Sequence, residues 1–510
     1  MAYINNQFFK KINMGDLYNK YIQRMQKIAD VLYASAVLQW DQETYMPPKG
    51  ASIRARQLAT LAGIAHELAT DKELGDILNE LHASDKLNEK QKKNIAHSLR
   101  DYNIRKKYPN SFVQELTLTL SEAFVAWSEA KEKNDYNLYA PKLKKLIALK
   151  QKETQLLGYE KHPYDALLDQ YEPGCTTHEL DVLFNDVKTQ LVPFIKSILT
   201  KPAPKDDFMY LHYDAQKQWD FGIELLKQMH YDFGAGRQDK SSHPFTIHFC
   251  PNDVRVTTRI DEHNLHEMIW STIHEGGHAL YEQGIPQEEY GLPSGEAISL
   301  GVHESQSRIW ENNVGRSINY WKGNFALLQK YFPKQLKDVN VDMFYKAMNK
   351  IQASLIRTNA DELTYHLHIL IRYEIEKKII ESELNIDELP EYWNNLYLKY
   401  LDIKVPDDKQ GILQDIHWSH GSFGYFPTYS IGSFYAAQFF DAAEKQISDL
   451  HTQIENGNML PLLQWLRTHI HQHGKTLTAH EICKYISGQY LNFSYFMNYV
   501  KNKYSDIYNL

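Results

Sequence analysis

The chain has 510 residues and is 43% hydrophobic, enough to bury a large core as two to four domains or as one large helical enzyme. Its formal charge of −8 comes without a lysine/arginine block, which argues against a nucleic-acid partner and against a basic membrane patch. Low glycine and proline, 24 and 18, favour helix over sandwich or barrel, and three widely spaced cysteines, Cys175, Cys250 and Cys483, argue against a disulfide framework and fit a reducing, cytoplasmic setting.

In chain order, the N-terminal MAYINNQFFKKINMGDLYNKY lacks the continuous apolar core of a signal peptide, and no later run reaches the roughly 20 apolar residues of a membrane span. From Met14 to about Leu199 the pattern is amphipathic helix, interrupted at MPPKG and EPGC. The stretch WDQETYMP, Trp40 to Pro47, reads as a fastening of these helices rather than as a substrate contact. KPAPKDD, from Lys201, is a turn-rich connector, and FGAGRQDKSSHPF, from Phe233, is a longer loop. The one region with strand character follows, FTIHFCPNDVRVTTR, β-branched and alternating.

The next element, IWSTIHEGGHALYEQGIP (Ile269 to Pro286), is helical by its apolar spacing at Ile269, Ile273 and Leu280, with an acidic start at Asp261 and Glu262 and a stop at Gly284 and Pro286. His274 and His278 project from one face, one turn apart, beside Glu275. This is the HExxH arrangement of zinc peptidases, in which the imidazoles bind the metal and the acid is the general base. Gly276 and Gly277 weaken such a helix by about 2 kcal/mol together. The reading here is that bare backbone lets a peptide lie against the metal-bearing face.

A hydrolytic zinc site takes three protein ligands and keeps a position for water, so a third must come from a later helix. SLGVHESQSRIWENNVGR offers Glu304, with His303 as the alternative; the plain alternative for Glu304 is an i, i+4 surface pair with Arg308. IRTNADELTYHLHILIRYEIEKKII is the clearest later helix, with Leu363, Leu367 and Leu370 as a core stripe. The tail from Asp441 is helical, and its HIHQHG, from His469, is a helix end rather than a metal site.

These blocks together resemble the carboxypeptidase Taq family of metallocarboxypeptidases over nearly the whole chain. The resemblance rests on WDQETYMP, DVRVTTR (Asp253 to Arg259), HEGGH (His274 to His278), HESQ (His303 to Gln306), IRTNAD (Ile356 to Asp361) and GILQDIHWSHGSFGYFPTY (Gly411 to Tyr429). It implies that His274, His278 and Glu304 bind zinc and that Glu275 is the general base. Cobalt suits the same N/O donors. It points to Arg357 as the anchor for a free C-terminal carboxylate, a task a planar guanidinium performs in bidentate fashion; its plain alternative is a helix-start arginine paired with Asp361. His417 and Tyr429, then Tyr425, are the donors for the oxyanion. Asp253, Arg255, Thr257, Asp361 and Asp415 are assigned to orienting the site from behind.

The expected protein is therefore a mainly α metallopeptidase with a small β element before the HExxH helix. It is expected to form a single domain over 1–510, with N-terminal helices to about 200, a catalytic core at about 240–440 and a helical tail from about 441. The resemblance further implies a deep groove between helical lobes, a homodimer, broad side-chain tolerance and poor cleavage next to proline. Its substrates would be peptides with a free C-terminus. The rivals are a helical zinc oligopeptidase that cuts internally or releases dipeptides, and a non-catalytic peptide-binding scaffold.

Overall fold

The computed structural model describes residues 14–510, so the reading of the extreme N-terminus lies largely outside the described residues. Within them the protein is mainly α, with one small sheet. No described helix is long and apolar enough to cross a membrane. All three cysteines are free.

The described residues fall into two compact units. The first runs up to Lys106 and includes Pro286–Glu296 and His473–Thr476. Its helices Met14–Thr44, Ala51–Ala69, Lys72–His82 and Glu89–Lys106 bury Leu17, Tyr21, Ile28, Leu78 and Ile95 together. Asp71 caps the third by accepting from the backbone N–H groups of Glu73 and Leu74. At the end of the first helix Trp40 is buried, and Arg54 donates to Asp41 (2.7 Å) and to the Leu38 carbonyl (2.5 Å), so this stretch joins two helices of its own unit.

The second unit comprises Lys107–Ile285, Ala297–Gln472 and Leu477–Leu510 and holds the large core. Its sheet has strands β1 (Gly236–Lys240), β2 (Thr246–Cys250) and β3 (Asp253–Thr258) in the order β1-β3-β2. β2 and β3 form the antiparallel hairpin expected from the alternation, with Thr246 opposite Val256 and Val254 and Val256 buried. β1 corrects the loop reading of FGAGRQDKSSHPF. It is short and polar, and it exists because it pairs parallel to β3, a partner further along the chain that local pattern does not reveal.

Three later segments hold the HEGGH, HESQ and IRTNAD stretches. The motif helix (Leu265–Glu282) follows β3, and its cap is Asn264, whose side chain accepts from the His266 N–H, just beyond the acidic start expected at Asp261. The carboxylate helix (Leu300–Arg308) is capped by Ser299 and runs on as a π-helical stretch, Ile309–Gly315. The segment read as one long helix from Ile356 divides. Arg357–Asn359 is a 3-10 turn, Asp361 accepts from the N–H groups of Leu363 and Thr364, and the core helix spans Tyr365–Ile380. Leu363, Leu367 and Leu370 are fully buried, as the stripe required.

Candidate active site and metal centre

Gly276 and Gly277 are buried, and packing is the reason. A Cβ at 276 would lie 2.8 Å from Leu226 Cδ2, on the helix Ala215–Gln228, and one at 277 would lie 2.7 Å from Ser307 Cα and 2.8 Å from the Gln306 carbonyl oxygen. The glycines admit neighbouring parts of the fold rather than a peptide, which corrects the reading made from sequence. On the opposite flank of the carboxylate helix, a Cβ at Gly432 would meet Glu304 Cβ at 2.5 Å. Gly432 belongs to the helix Pro427–Gln446, which also carries Tyr429. The carboxylate helix is thus pressed between two glycine-bearing helices.

The pressing brings His274, His278 and Glu304 together, with one ligand atom from each lying within 4.8 Å of the others. Glu304 Oε2 is 3.3 Å from His278 Nε2 and 3.7 Å from His274 Nε2. Two imidazole nitrogens and one carboxylate oxygen at this spacing fit a divalent ion of the zinc class. Burial drops His278 to about 3, so its ring is neutral, the form that ligates. Burial opposes ionisation of Glu304, yet the Arg308 guanidinium and His274 hold it well below the usual carboxylate range. His303, the alternative ligand, turns instead to Glu282.

Behind the three donors stands a layer the sequence reading did not assign. His274 Nδ1 is 2.8 Å from Glu311 Oε2, an arrangement that fixes the tautomer and leaves Nε2 free to ligate. Arg308 donates from Nε to Glu304 (2.7 Å) and from Nη1 to Glu311 (3.0 Å), and Arg316 donates to the other Glu311 oxygen (3.0 Å). The Arg308 pair with Glu304 offered as a surface alternative exists, but buried inside this layer. The π-helical stretch carries Glu311. One signal was available: Glu304, Arg308 and Glu311 recur at helical spacing.

Glu275 is buried, and its Oε2 accepts from Thr246 Oγ1 of β2 at 2.7 Å. Burial pushes its carboxyl above the ordinary range, against the pull of His274. The small sheet thereby sets the acid of the motif.

Arg357 lies beside Asp415 rather than Asp361. It donates from Nε and Nη2 to Asp415 Oδ1, both at 3.0 Å, and from Nη1 to Tyr365 OH at 3.0 Å. Arg372, fully buried, donates to the other Asp415 oxygen. Burial opposes the Asp415 charge, but Arg357 and Arg372 keep it ionised. Tyr365 links the two halves of the site, because the Arg308 guanidinium lies over its ring at 4.9 Å.

The aromatic block converges on the same place. His417 Nε2 is 3.4 Å from Tyr429 OH, the Tyr425 and Tyr429 rings are 5.3 Å apart, and Arg357 lies 5.2 Å from the Tyr429 ring centre. Burial drops His417 to about 4 and raises both tyrosines, so all three are neutral near pH 7. Asp253 and Arg255 hydrogen-bond each other at 2.8 Å, Thr257 supports Phe245, and Asp361 serves backbone N–H groups; none of these bonds reaches His274, His278 or Glu304.

Residues 20–504 match the family described as Carboxypeptidase Taq (M32) metallopeptidase. The chain is 39% identical to carboxypeptidase 1 of Bacillus subtilis (strain 168), over 96% of this chain and 98% of that one. It is also 39% identical to thermostable carboxypeptidase 1 of Thermus thermophilus, over 96% and 99%. The solved M32 carboxypeptidase from Deinococcus radiodurans R1 superposes with a TM-score of 0.95 at 34% identity, covering 97% of this chain and all of that one.

Proposed function

The chain belongs to the Carboxypeptidase Taq family of metallopeptidases and is a metallocarboxypeptidase, and from that premise we propose how its residues divide the work. The observation that most supports the proposal is the convergence of His274, His278 and Glu304 on one point. These three hold zinc, and cobalt fits the same donors. Such an ion supplies Lewis acidity and lowers the pKa of a bound water.

Glu275 receives the proton of the attacking water and returns it to the departing amine. Thr246 occupies its Oε2, so the other oxygen moves the proton. The raised Glu275 pKa narrows the gap to neutral pH, which suits a group that must both take and give. As the carbonyl carbon becomes tetrahedral, Tyr429 and His417 donate to its oxygen, with Tyr425, its ring 5.3 Å from that of Tyr429, as the third candidate donor. Being neutral, His417 has a single ring N–H to give.

Arg357 receives the terminal carboxylate. Three of its five N–H donors go to Asp415 and Tyr365, leaving one on each terminal nitrogen, a fork that a carboxylate can accept end-on. Asp415 and Arg372 hold that fork in place.

The proposed substrates are peptides with a free C-terminus, cut one residue at a time. The free cysteines support a cytoplasmic setting. A homodimer is proposed on the family resemblance alone, and sedimentation of the purified protein tests it. For the reaction, a short unblocked peptide incubated with metal-loaded protein should yield a ladder of single-residue losses by mass spectrometry, while its C-terminal amide stays intact. Internal cleavage or dipeptide release from both peptides would overturn the assignment in favour of an oligopeptidase.

A further inference from the structure

The two ligand imidazoles are held by different means. His274 has Glu311 on its second nitrogen, whereas His278 Nδ1 is buried without a hydrogen-bond partner among the described residues. Metal-binding histidines almost always use that nitrogen to fix the ring plane, since rotation about the last side-chain bond swings the ligating atom off its line. Another contact must hold His278. The ring of His303 lies against it, 4.5 Å between centroids and tilted by 28°, close to a stack.

His303 is itself fixed. Its Nε2 is 2.8 Å from Glu282 Oε1. Glu282 is buried one helical turn beyond His278, on the same helix face, and His248 Nδ1 of β2 approaches the same Glu282 oxygen at 3.3 Å. Helix, strand and carboxylate therefore clamp a ring whose face covers the unpartnered imidazole.

We propose that His303 is a positioning residue: its ring face sets the plane of His278 and takes over the work that a hydrogen bond does for His274. The inference rests on the metal reading above.

The test compares His303→Gln, which keeps a donor for Glu282 but has no ring, with His303→Phe, which keeps the ring but has no donor. Zinc affinity is measured by competition with a chromophoric chelator, and the visible absorption of cobalt-loaded protein reports ligand geometry. Circular dichroism and melting of the metal-free proteins verify folding. His303→Gln is expected to bind zinc about 10- to 100-fold more weakly and to shift the cobalt bands. His303→Phe should stay within about threefold of wild type, because packing against His278 persists. If His303→Phe does not fold, His303→Phe with Glu282→Gln, which removes a buried charge left with His248 alone, is read in its place. Wild-type affinity and spectrum in a folded His303→Gln overturn the proposal, as does equal weakening by Gln and Phe. His274→Ala separates the two readings: if the wild type binds zinc no better than this variant, the metal centre itself is wrong and the proposal falls with it.

Discussion

At the metal end of the site, Glu304 and Glu311 face the positive charges of Arg308 and Arg316, and Glu275 adds a further acid nearby. At the anchoring end, Arg357 and Arg372 share the single carboxylate of Asp415. Both ends therefore interlock arginines with carboxylates, but one retains an excess of acid and the other an excess of guanidinium. A surplus unit charge about 4 Å from an incoming ion of opposite sign is worth roughly 4 kcal/mol at an effective dielectric near 20, against about 1 kcal/mol in water. In the proposed roles, the surplus favours a cation at one end and an anion at the other, while the paired groups supply rigidity. Tyr365, bonded to Arg357 and lying under Arg308, joins the two ends through one side chain.

The strongest way to break the metal end is to spare its ligands and remove its base. Glu275→Gln should retain metal and lower kcat by about 10²- to 10⁴-fold, as measured on a metal-loaded sample with the metal content assayed. Normal turnover there would remove the base assignment. At the other end, Arg357→Ala should lower kcat/KM for unblocked peptides by about 10²-fold, the scale of a lost charge-assisted pair. Any residual cleavage of amidated peptides should be unchanged, and equal losses on both would show that Arg357 does not read the carboxylate.

The comparison sharpens with Glu311→Gln. This keeps an acceptor for His274 but removes a charge, and it should weaken metal binding by about 10-fold while leaving KM for peptide unchanged. A shifted KM with unaltered metal affinity would place Glu311 in the substrate path instead. The smallest effect concerns the supports. Glu172 accepts from Gly301 N and Ser299 Oγ at the head of the carboxylate helix, and Glu376 accepts from Gly424 N, Trp418 and Tyr164 beneath the aromatic block. Burial raises both carboxyls from the ordinary 4.5 to about 7. Between those values the folded protein keeps protons that the unfolded chain has released, so stability falls as pH rises from about 4.5 to about 7. Glu376→Gln should flatten part of that fall, by on the order of 1 °C in Tm. A pH slope identical to wild type would mean that this carboxyl ionises freely in the fold.

How far the sequence spoke for itself differs between the same two ends. The two histidines proposed as ligands lie one helical turn apart, so periodicity alone places His274 and His278 on one face with the proposed base Glu275 beside them, and Glu304 needs only a second helix. The anchoring end depends on Arg357 meeting a carboxylate 58 residues away, and nothing local separates Asp415 from Asp361, which sits at the more tempting spacing. Thr246 reaches Glu275 across 29 residues from a strand, and β1 owes its existence to a parallel partner later in the chain. Arg372 and Tyr365 read as members of an ordinary core helix, and their contacts with Asp415 and Arg357 form only once distant segments meet. The glycine pair is legible in the sequence, but what it admits is not: Gly276 faces Leu226 of one helix and Gly277 faces Gln306 and Ser307 of another.

That close approach has a consequence for how the centre can change. The separation between its donors is governed by residues that never touch an ion, since a single methyl group at position 432 leaves Glu304 no room where it now stands. Gly432→Ala is thus a wedge, and the atoms it moves are the ones whose spacing decides which ions are welcome. A search for altered ion preference should begin on the dry side of the helices, leaving all three donors as they are.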